Sequence, residues 1–214
     1  MKTLDIDFIS DIACPWCVIG LRALEQALER ISPVLQVTLR FQPFELNPQM
    51  PPEGQDLLEH LGAKYRIGPE QIAQNQSALR ERGAALGFAF GPRARIWNTF
   101  DAHRLLHAAG LQDLAVQRRL KHALLQAYHG EGANPGEPAL LLRLAVEAGL
   151  DAATAQQLIA SDQHAEAVRE AEAFWQQAGI QAVPAVVINR QHLISGGQPP
   201  ELFEQALRQI AGLP

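Results

Sequence analysis

Ser10-Asp11-Ile12-Ala13-Cys14-Pro15-Trp16-Cys17 is the stretch on which the reading of this chain turns. Cys14 and Cys17 are the only two cysteines in 214 residues, and only Pro15 and Trp16 lie between them. An apolar run over Leu4–Ile9 leads into the pair, and a helical pattern over Val18–Ile31 leads out. A C-x-x-C at a strand-to-helix junction is a redox arrangement. The first sulfur sits at a helix N-terminus, where unpaired N–H groups and the positive end of the macrodipole favour a thiolate. A thiolate is the nucleophile of disulfide exchange, and the second thiol is near enough to resolve the mixed disulfide. Pro15 suits the first helical turn, where its missing N–H would have had no partner.

Two blander readings compete. Two structural cysteines could fall this close by chance, but the flanking strand and helix favour the redox reading. A zinc site would need more ligands. His103 and His107 lie four apart, on one helix face, yet their distance along the chain from Cys17 far exceeds finger spacing, and no second C-x-x-C exists. No metal is expected.

Composition bounds the rest. Hydrophobic residues make up 47% and charged residues 19%, which suits a globular chain with a sizeable core. A net charge of −5 argues against a general nucleic-acid binder. The N-terminus reads as a strand almost at once, with Asp5 and Asp7 breaking any apolar signal core, and no run approaches a membrane span. The expectation is a cytoplasmic protein, in a compartment that keeps most thiols reduced. That suits a reductase or isomerase; an oxidant would need another compartment.

Along the chain, Leu4–Ile9 reads as a strand and Val18–Ile31 as a helix closed by Pro33. Val37–Phe41 reads as a second strand ending at Pro43, giving a parallel βαβ unit. From Gly54 to Gly179 the texture is helical throughout. Helices are expected near Gln55–Tyr65, Pro69–Leu86, Asn98–Ala109, Leu114–Tyr128, Pro138–Ala148, Ala152–Ala160 and Gln163–Ala178. Asn98, Asp113, Asp151 and Asp162 are the expected N-caps, and Gly110, Gly149 and Gly179 the expected stops. Strand texture returns at Val183–Ile188 and His192–Ser195 around an Asn189-Arg190-Gln191 turn, and an amphipathic helix closes the chain. The order is β-α-β, an insert, then β-β-α. The expected fold is α/β, a thioredoxin-like domain from residues 1–53 and 180–214 carrying an all-helical insertion over 54–179.

Pro184 opens what otherwise reads as a central strand, where proline is normally excluded. A first-position proline would need no explanation; a cis Val183–Pro184 bond facing the cysteines would give it a role, shielding the sulfurs while Val183 offers its backbone to a substrate.

With these residues in hand the chain resembles the FrnE-like branch of the DsbA-type thiol–disulfide oxidoreductases. The resemblance rests on Ser10-Asp11 through Gly20, on Phe41-Gln42-Pro43-Phe44-Glu45-Leu46-Asn47-Pro48, and on Asn98-Thr99 with Ala102-His103-Arg104. Val183-Pro184 with Val187-Ile188-Asn189, and Ser195-Gly196 with Gln198-Pro199-Pro200, complete it, so it spans nearly the whole chain. Ala182 departs from the pattern, which usually has glycine there. The resemblance implies Cys14 as nucleophile, Cys17 as resolving thiol and Pro184 as cis-proline, with no cofactor beyond the redox-active pair. Pro15, Trp16 and Val183 would contact disulfide- or thiol-containing protein substrates. Kappa-type glutathione transferases and 2-hydroxychromene-2-carboxylate isomerases resemble the same fold but carry serine at the first active position. Glutathione is therefore a possible electron donor, held near Asn98, Val183 and Gln198. A glutathione-dependent transferase or isomerase, and a holdase-like chaperone, are the rival functions.

Lesser candidates are Asp11, a proton carrier or a helix-capping acid, and His129, read as a loop residue. Arg93 and Arg95 offer an anionic-substrate contact or a solvated turn. Trp16 stands where DsbA, in this resemblance, has histidine. An indole supplies one N–H and no charge, so a potential of roughly −180 to −240 mV is expected, below that of DsbA.

Overall fold

The alternation read at the N-terminus becomes a central strand. In the computed structural model, which describes residues 2–32 and 34–213, β1 (Lys2–Ser10) pairs in parallel with β2 (Leu35–Pro43) along its whole length. On its other side β1 pairs antiparallel with β5 (Ala185–Ile188), which turns through Asn189 and Arg190 into β6 (His192–Ser195). The sheet order is β2-β1-β5-β6. Helix α1 (Pro15–Ile31) makes the crossover from β1 to β2, and the closing helix, α9 (Pro200–Ala211), lies against it. Pro33, expected to close α1, lies outside the described residues.

Strand β1 is buried on both faces because its side chains serve two cores. Ile6 and Phe8 share the main core with Leu21, Leu24, Phe203 and Leu207. Ile9 points the other way, into a smaller cluster with Phe44, Trp175, Ile180 and Val187. This is the period-two geometry of a strand sandwiched between layers.

Between β2 and β5 the chain forms β3 (Gln55–Asp56), α2 (Leu57–Tyr65), α3 (Pro69–Ala85), β4 (Arg95–Ile96), α4 (Phe100–Gln112) and α5 (Leu114–Leu125). A single π turn at Gln126–Gly130 follows, then α6 (Pro138–Ala148), α7 (Ala152–Ile159) and α8 (Ala165–Gln177). The segment is helical apart from an antiparallel ribbon in which Gln55 faces Ile96 and Asp56 faces Arg95. Two residues are too few to show an alternation. Asp56 explains why α2 begins at Leu57: its carboxylate accepts from the N–H groups of Leu58 and Glu59 at 2.9 and 3.0 Å.

Other caps divide the same way. Asp113 and Asp151 cap α5 and α7 through Ala115 N–H and Thr154 N–H. Gly149 and Gly179 end α6 and α8 at φ +100° and +92°. Asp162 gives α8 only its backbone carbonyl, because His164 at φ +63° forms the helix boundary. Gly110 does not stop α4, which continues to Gln112; it makes room for Gln117, whose Nε2 would lie 2.7 Å from a Cβ there. That room has a use. Gln117 accepts from Phe41 N–H and donates to Phe41 C=O, at 3.1 and 3.0 Å, and so caps the outer edge of β2 with a side chain. Helices α4, α5 and α8 pack on β2 and α3 packs on α1, so the insert flanks the C-x-x-C end of the sheet.

Candidate active site

Cys14 occupies the boundary position of α1 with extended backbone, and Pro15 follows at the first helical position. The helix start is tightened by Cys14 N–H to Asp11 C=O and Cys17 N–H to Cys14 C=O, at 3.3 and 3.1 Å. Both cysteines are free thiols. Cys17 is wholly buried, whereas Cys14 lines a cavity and its Sγ donates to Val183 C=O at 3.6 Å. The Val183–Pro184 peptide is cis. The proline ring abuts Gly20 on α1: a Cβ there would come within 2.8 Å of Pro184 Cγ. Pro184 C=O accepts from Gly196 N–H at 2.8 Å. The fold thus brings the Cys14–Cys17 pair to the Val183–Pro184 pair, which lies 169 residues further along the chain from Cys14.

Trp16 stands half-exposed beside the motif. The Arg82 guanidinium of α3 stacks 5.0 Å from the indole centroid and donates to Gly197 C=O at 3.0 Å, tying α3 across to the loop after β6. Gln198 lies in that loop, where its amide donates to Ser195 C=O at 2.7 Å. Asn98 is occupied structurally at both ends of its amide: Nδ2 donates to Met50 C=O and Oδ1 accepts from Phe100 N–H, each at 2.9 Å. It therefore supplies an N-terminal bond to α4, although Thr99 is the boundary residue.

Beneath the motif lies a layer of buried polar groups. Asp11 is almost fully buried, and its two oxygens accept from Ala13 N–H, Leu46 N–H and Thr99 Oγ1 at 3.0, 2.7 and 2.8 Å. His103 Nε2 stands 3.5 Å from the same carboxylate. Burial pushes this carboxyl up, but His103 and the backbone donors outweigh it and hold it below the usual range. His103 thus turns towards Asp11, while the His107 ring lies 5.1 Å from that of His164. His129, wholly buried in the π turn, donates from Nε2 to Ile12 C=O at 2.7 Å and fixes the loop just ahead of Cys14. Burial, with Arg93 close by, depresses its ring well below the usual histidine range, so it serves as a neutral strut. Lys121 of α5 is buried on the Cys17 side, its Nζ 6.0 Å from the Phe41 ring. Desolvation lowers its ammonium to about 8, against the opposing pull of Cys17, Asp11 and Cys14.

A cavity of about 380 Å³ opens beside Cys14. It runs between the start of α1 and helices α2 and α3, with Pro15 and Trp16 at the Cys14 end and Leu61, Ile72 and Leu79 along its walls.

A scan for known families matches residues 5–208 to the DSBA-like thioredoxin domain. The chain belongs to that family. The family is one of thiol–disulfide oxidoreductases, and its thioredoxin fold is the one described above. Over 98% of its length the chain is 35% identical to the probable DsbA oxidoreductase SCO1869 of Streptomyces coelicolor, with 90% of that chain covered and a TM-score of 0.88. It is 26% identical over 208 residues, 96% of either chain, to the uncharacterized protein YwbO of Bacillus subtilis (strain 168). The cytosolic disulfide reductase DsbM of Pseudomonas aeruginosa, solved with GSH, shares the fold at a TM-score of 0.64 and 19% identity, over 98% of this chain and all of that one.

Sequence reasoning passed over several members of this site. Asp11 is open in sequence between a proton carrier and a capping acid, and His129 reads as a loop residue, because nothing local shows that both are buried ahead of Cys14. Lys121 sits inside a helical pattern as one polar residue among many. Arg82 gives no signal in sequence either, since its partner is the exposed face of Trp16.

Proposed function

We propose that this chain is a dithiol–disulfide oxidoreductase in which Cys14 attacks and Cys17 resolves. One observation supports the order of attack: Cys14 Sγ faces the cavity from the start of α1, while Cys17 has no exposed surface. The Cys14 thiolate attacks a substrate disulfide, forming a Cys14 mixed disulfide and releasing one substrate sulfur as thiolate. Cys17 then loses its proton and attacks Cys14 Sγ, closing the protein disulfide and expelling the second substrate sulfur. The substrate gains two electrons and the two cysteines lose them. Burial and the adjoining Cys14 push the Cys17 thiol well up, so its proton needs an acceptor. The Lys121 ammonium pulls that thiol back down through its charge, and its own value of about 8 lets a fraction of it stand neutral and able to take the proton. Val183 C=O holds Cys14 Sγ and marks where the backbone of a substrate would lie.

In this reading the sheet with α1 and α9 carries the chemistry and the insert over 54–179 supplies one wall of the substrate site. Glutathione is the proposed electron donor, in keeping with the GSH in the DsbM structure, and a reducing, cytoplasmic setting suits that direction of flow. Among the described residues no helix is long and apolar enough to cross a membrane.

Trapping tests the order of attack. Cys17→Ser keeps a nucleophile without a resolver, so incubation with a disulfide substrate should leave a thiol-sensitive adduct on most of the protein, measured by intact mass. Cys14→Ser should leave none. Equal adducts on both variants would reverse the assignment.

A second expectation concerns Trp16. Replacing it with histidine supplies a cationic donor in the motif and removes the indole face on which Arg82 stacks. Each pKa unit of extra thiolate stabilisation corresponds to about 30 mV for a two-electron couple. Trp16→His should therefore raise the potential by about 30 mV or more in a glutathione redox titration. An unchanged potential would show that other groups set the energy of the thiolate.

A further inference from the structure

The cavity beside Cys14 has an apolar body and one cationic end. Leu57, Leu61, Ile72, Leu79 and Ile96 line it, and Cys14 stands at its rim beside Pro15 and Trp16. Arg93, just ahead of β4, lines the same cavity. Its guanidinium stacks 5.0 Å from the Tyr128 ring, and among the described residues no carboxylate pairs with it. Tyr65, Asn75 and Gln76 add neutral polar groups to the wall. Elsewhere in the molecule half-buried or buried arginines find acids or carbonyls: Arg104 takes Asp101 and the carbonyls of Gln163, Leu158 and Ser161, and Arg95 takes the carbonyls of Glu53 and Gly54. Among the described residues Arg93 brings the one charged side chain to a cavity whose walls are otherwise neutral and mostly apolar. A half-buried guanidinium with no acid partner draws a carboxylate more strongly than one in open solvent.

The width of the site points the same way. Arg82 bridges α3 to Gly197 over Trp16 and closes one flank of the motif, and the cavity holds about 380 Å³, within the range of small-molecule sites.

We infer that the substrate of this site is a small organic disulfide, or its thiol, with an aromatic or branched apolar body seated in the cavity and a carboxylate on Arg93. The inference rests on the redox reading above and names the substrate class within it. The chemistry is unchanged: the Cys14 thiolate takes one sulfur of the small disulfide, the other leaves as thiolate, and Cys17 releases the first as it closes the protein disulfide. The enzyme dithiol is the reductant, and a small thiol such as glutathione restores it.

The test is a comparison of small disulfides on the reduced full-length protein by stopped flow. The probes are the disulfide of thionitrobenzoate (aromatic, anionic), dithiodipyridine (aromatic, neutral), oxidised glutathione (anionic, not apolar) and hydroxyethyl disulfide (neither). Each rate constant is divided by that for N-acetylcysteine, which removes intrinsic leaving-group reactivity. The expected order places the thionitrobenzoate disulfide first by about tenfold over dithiodipyridine, with the two polar disulfides below both. Arg93→Gln should bring the ratio of anionic to neutral aromatic rates down by about tenfold, and Arg93→Lys should restore part of it. Oxidised glutathione in first place, or the same ratio in Arg93→Gln as in wild type, would overturn the proposal while leaving the redox reading intact. Normalised rates no greater than those of Cys14→Ser for every probe would sink the redox reading itself.

Discussion

Cys14→Ser should reduce the catalysed part of insulin reduction by dithiothreitol to background, a fall of at least about a hundredfold. A serine hydroxyl in the same place has the helix N-terminus and the Val183 carbonyl beside it, but it does not ionise near neutrality and cannot form the mixed disulfide. Cys17 cannot substitute, because it is wholly buried and its thiol is pushed well up by burial and by its neighbour. Turbidity of the insulin B chain against time reads the effect directly. A holdase acting through the apolar cavity would suppress aggregation equally with either residue, and a rate equal to wild type would leave that function in place of redox chemistry. A glutathione transferase or isomerase would also lose the redox assay its meaning, since such chemistry tolerates serine at this position.

Asp11→Ala should cost about 3–5 kcal/mol of stability, the largest effect expected of any single change outside the cysteines. The substitution leaves Ala13 N–H, Leu46 N–H and the Thr99 hydroxyl without their acceptor in a dry interior, and strips His103 of its facing carboxylate. For a chain of this size that corresponds to a fall in Tm of roughly 6–20 °C. The pH dependence has a fixed sign. The folded carboxyl is held below its unfolded value of about 3.9, so its contribution is complete above that pH and is lost as pH falls through the folded value. Wild-type stability should therefore drop more between pH 5 and pH 2 than that of Asp11→Ala, when both are measured by urea denaturation. Equal midpoints for the two proteins at pH 7 would show that the buried carboxylate is not what holds the loop ahead of Cys14. Activity gives a separate reading, because Asp11→Asn keeps the shape while removing the charge and its acid limb.

Much of this molecule is legible before folding is considered. The pair Cys14–Cys17 between a strand and a helix is a local feature, written in neighbouring residues, and the chemistry it suggests needs only their spacing. The parallel βαβ pair and the closing hairpin follow from periodicity and from short connections, whereas the pairing of β1 with β5 is a finding of the structure. Pro184 could be singled out because proline is out of place in a central strand, and the same kind of argument located the caps at Asp113 and Asp151. These inferences succeed because each rests on backbone constraints that act within a few residues.

The rest required the third dimension. Asp56 shortens α2 and the two-residue ribbon of β3 and β4 exists only because distant segments meet, so no local period announces either. A π turn lies hidden in what reads as the end of a helix, and it alone turns His129 inward to the carbonyl of Ile12. Lys121 looks in sequence like an ordinary surface charge, and Asp11 and Arg93 each leave a functional and a bland reading open, since what packs over a charge is not written beside it. Residue types and spacing determined that this chain carries a closely spaced cysteine pair at the end of a thioredoxin-like sheet. Only the packing of the insert against that sheet decided which groups the sulfurs see, because desolvation and long-range pairing are set by the folded neighbourhood and by no stretch of chain alone.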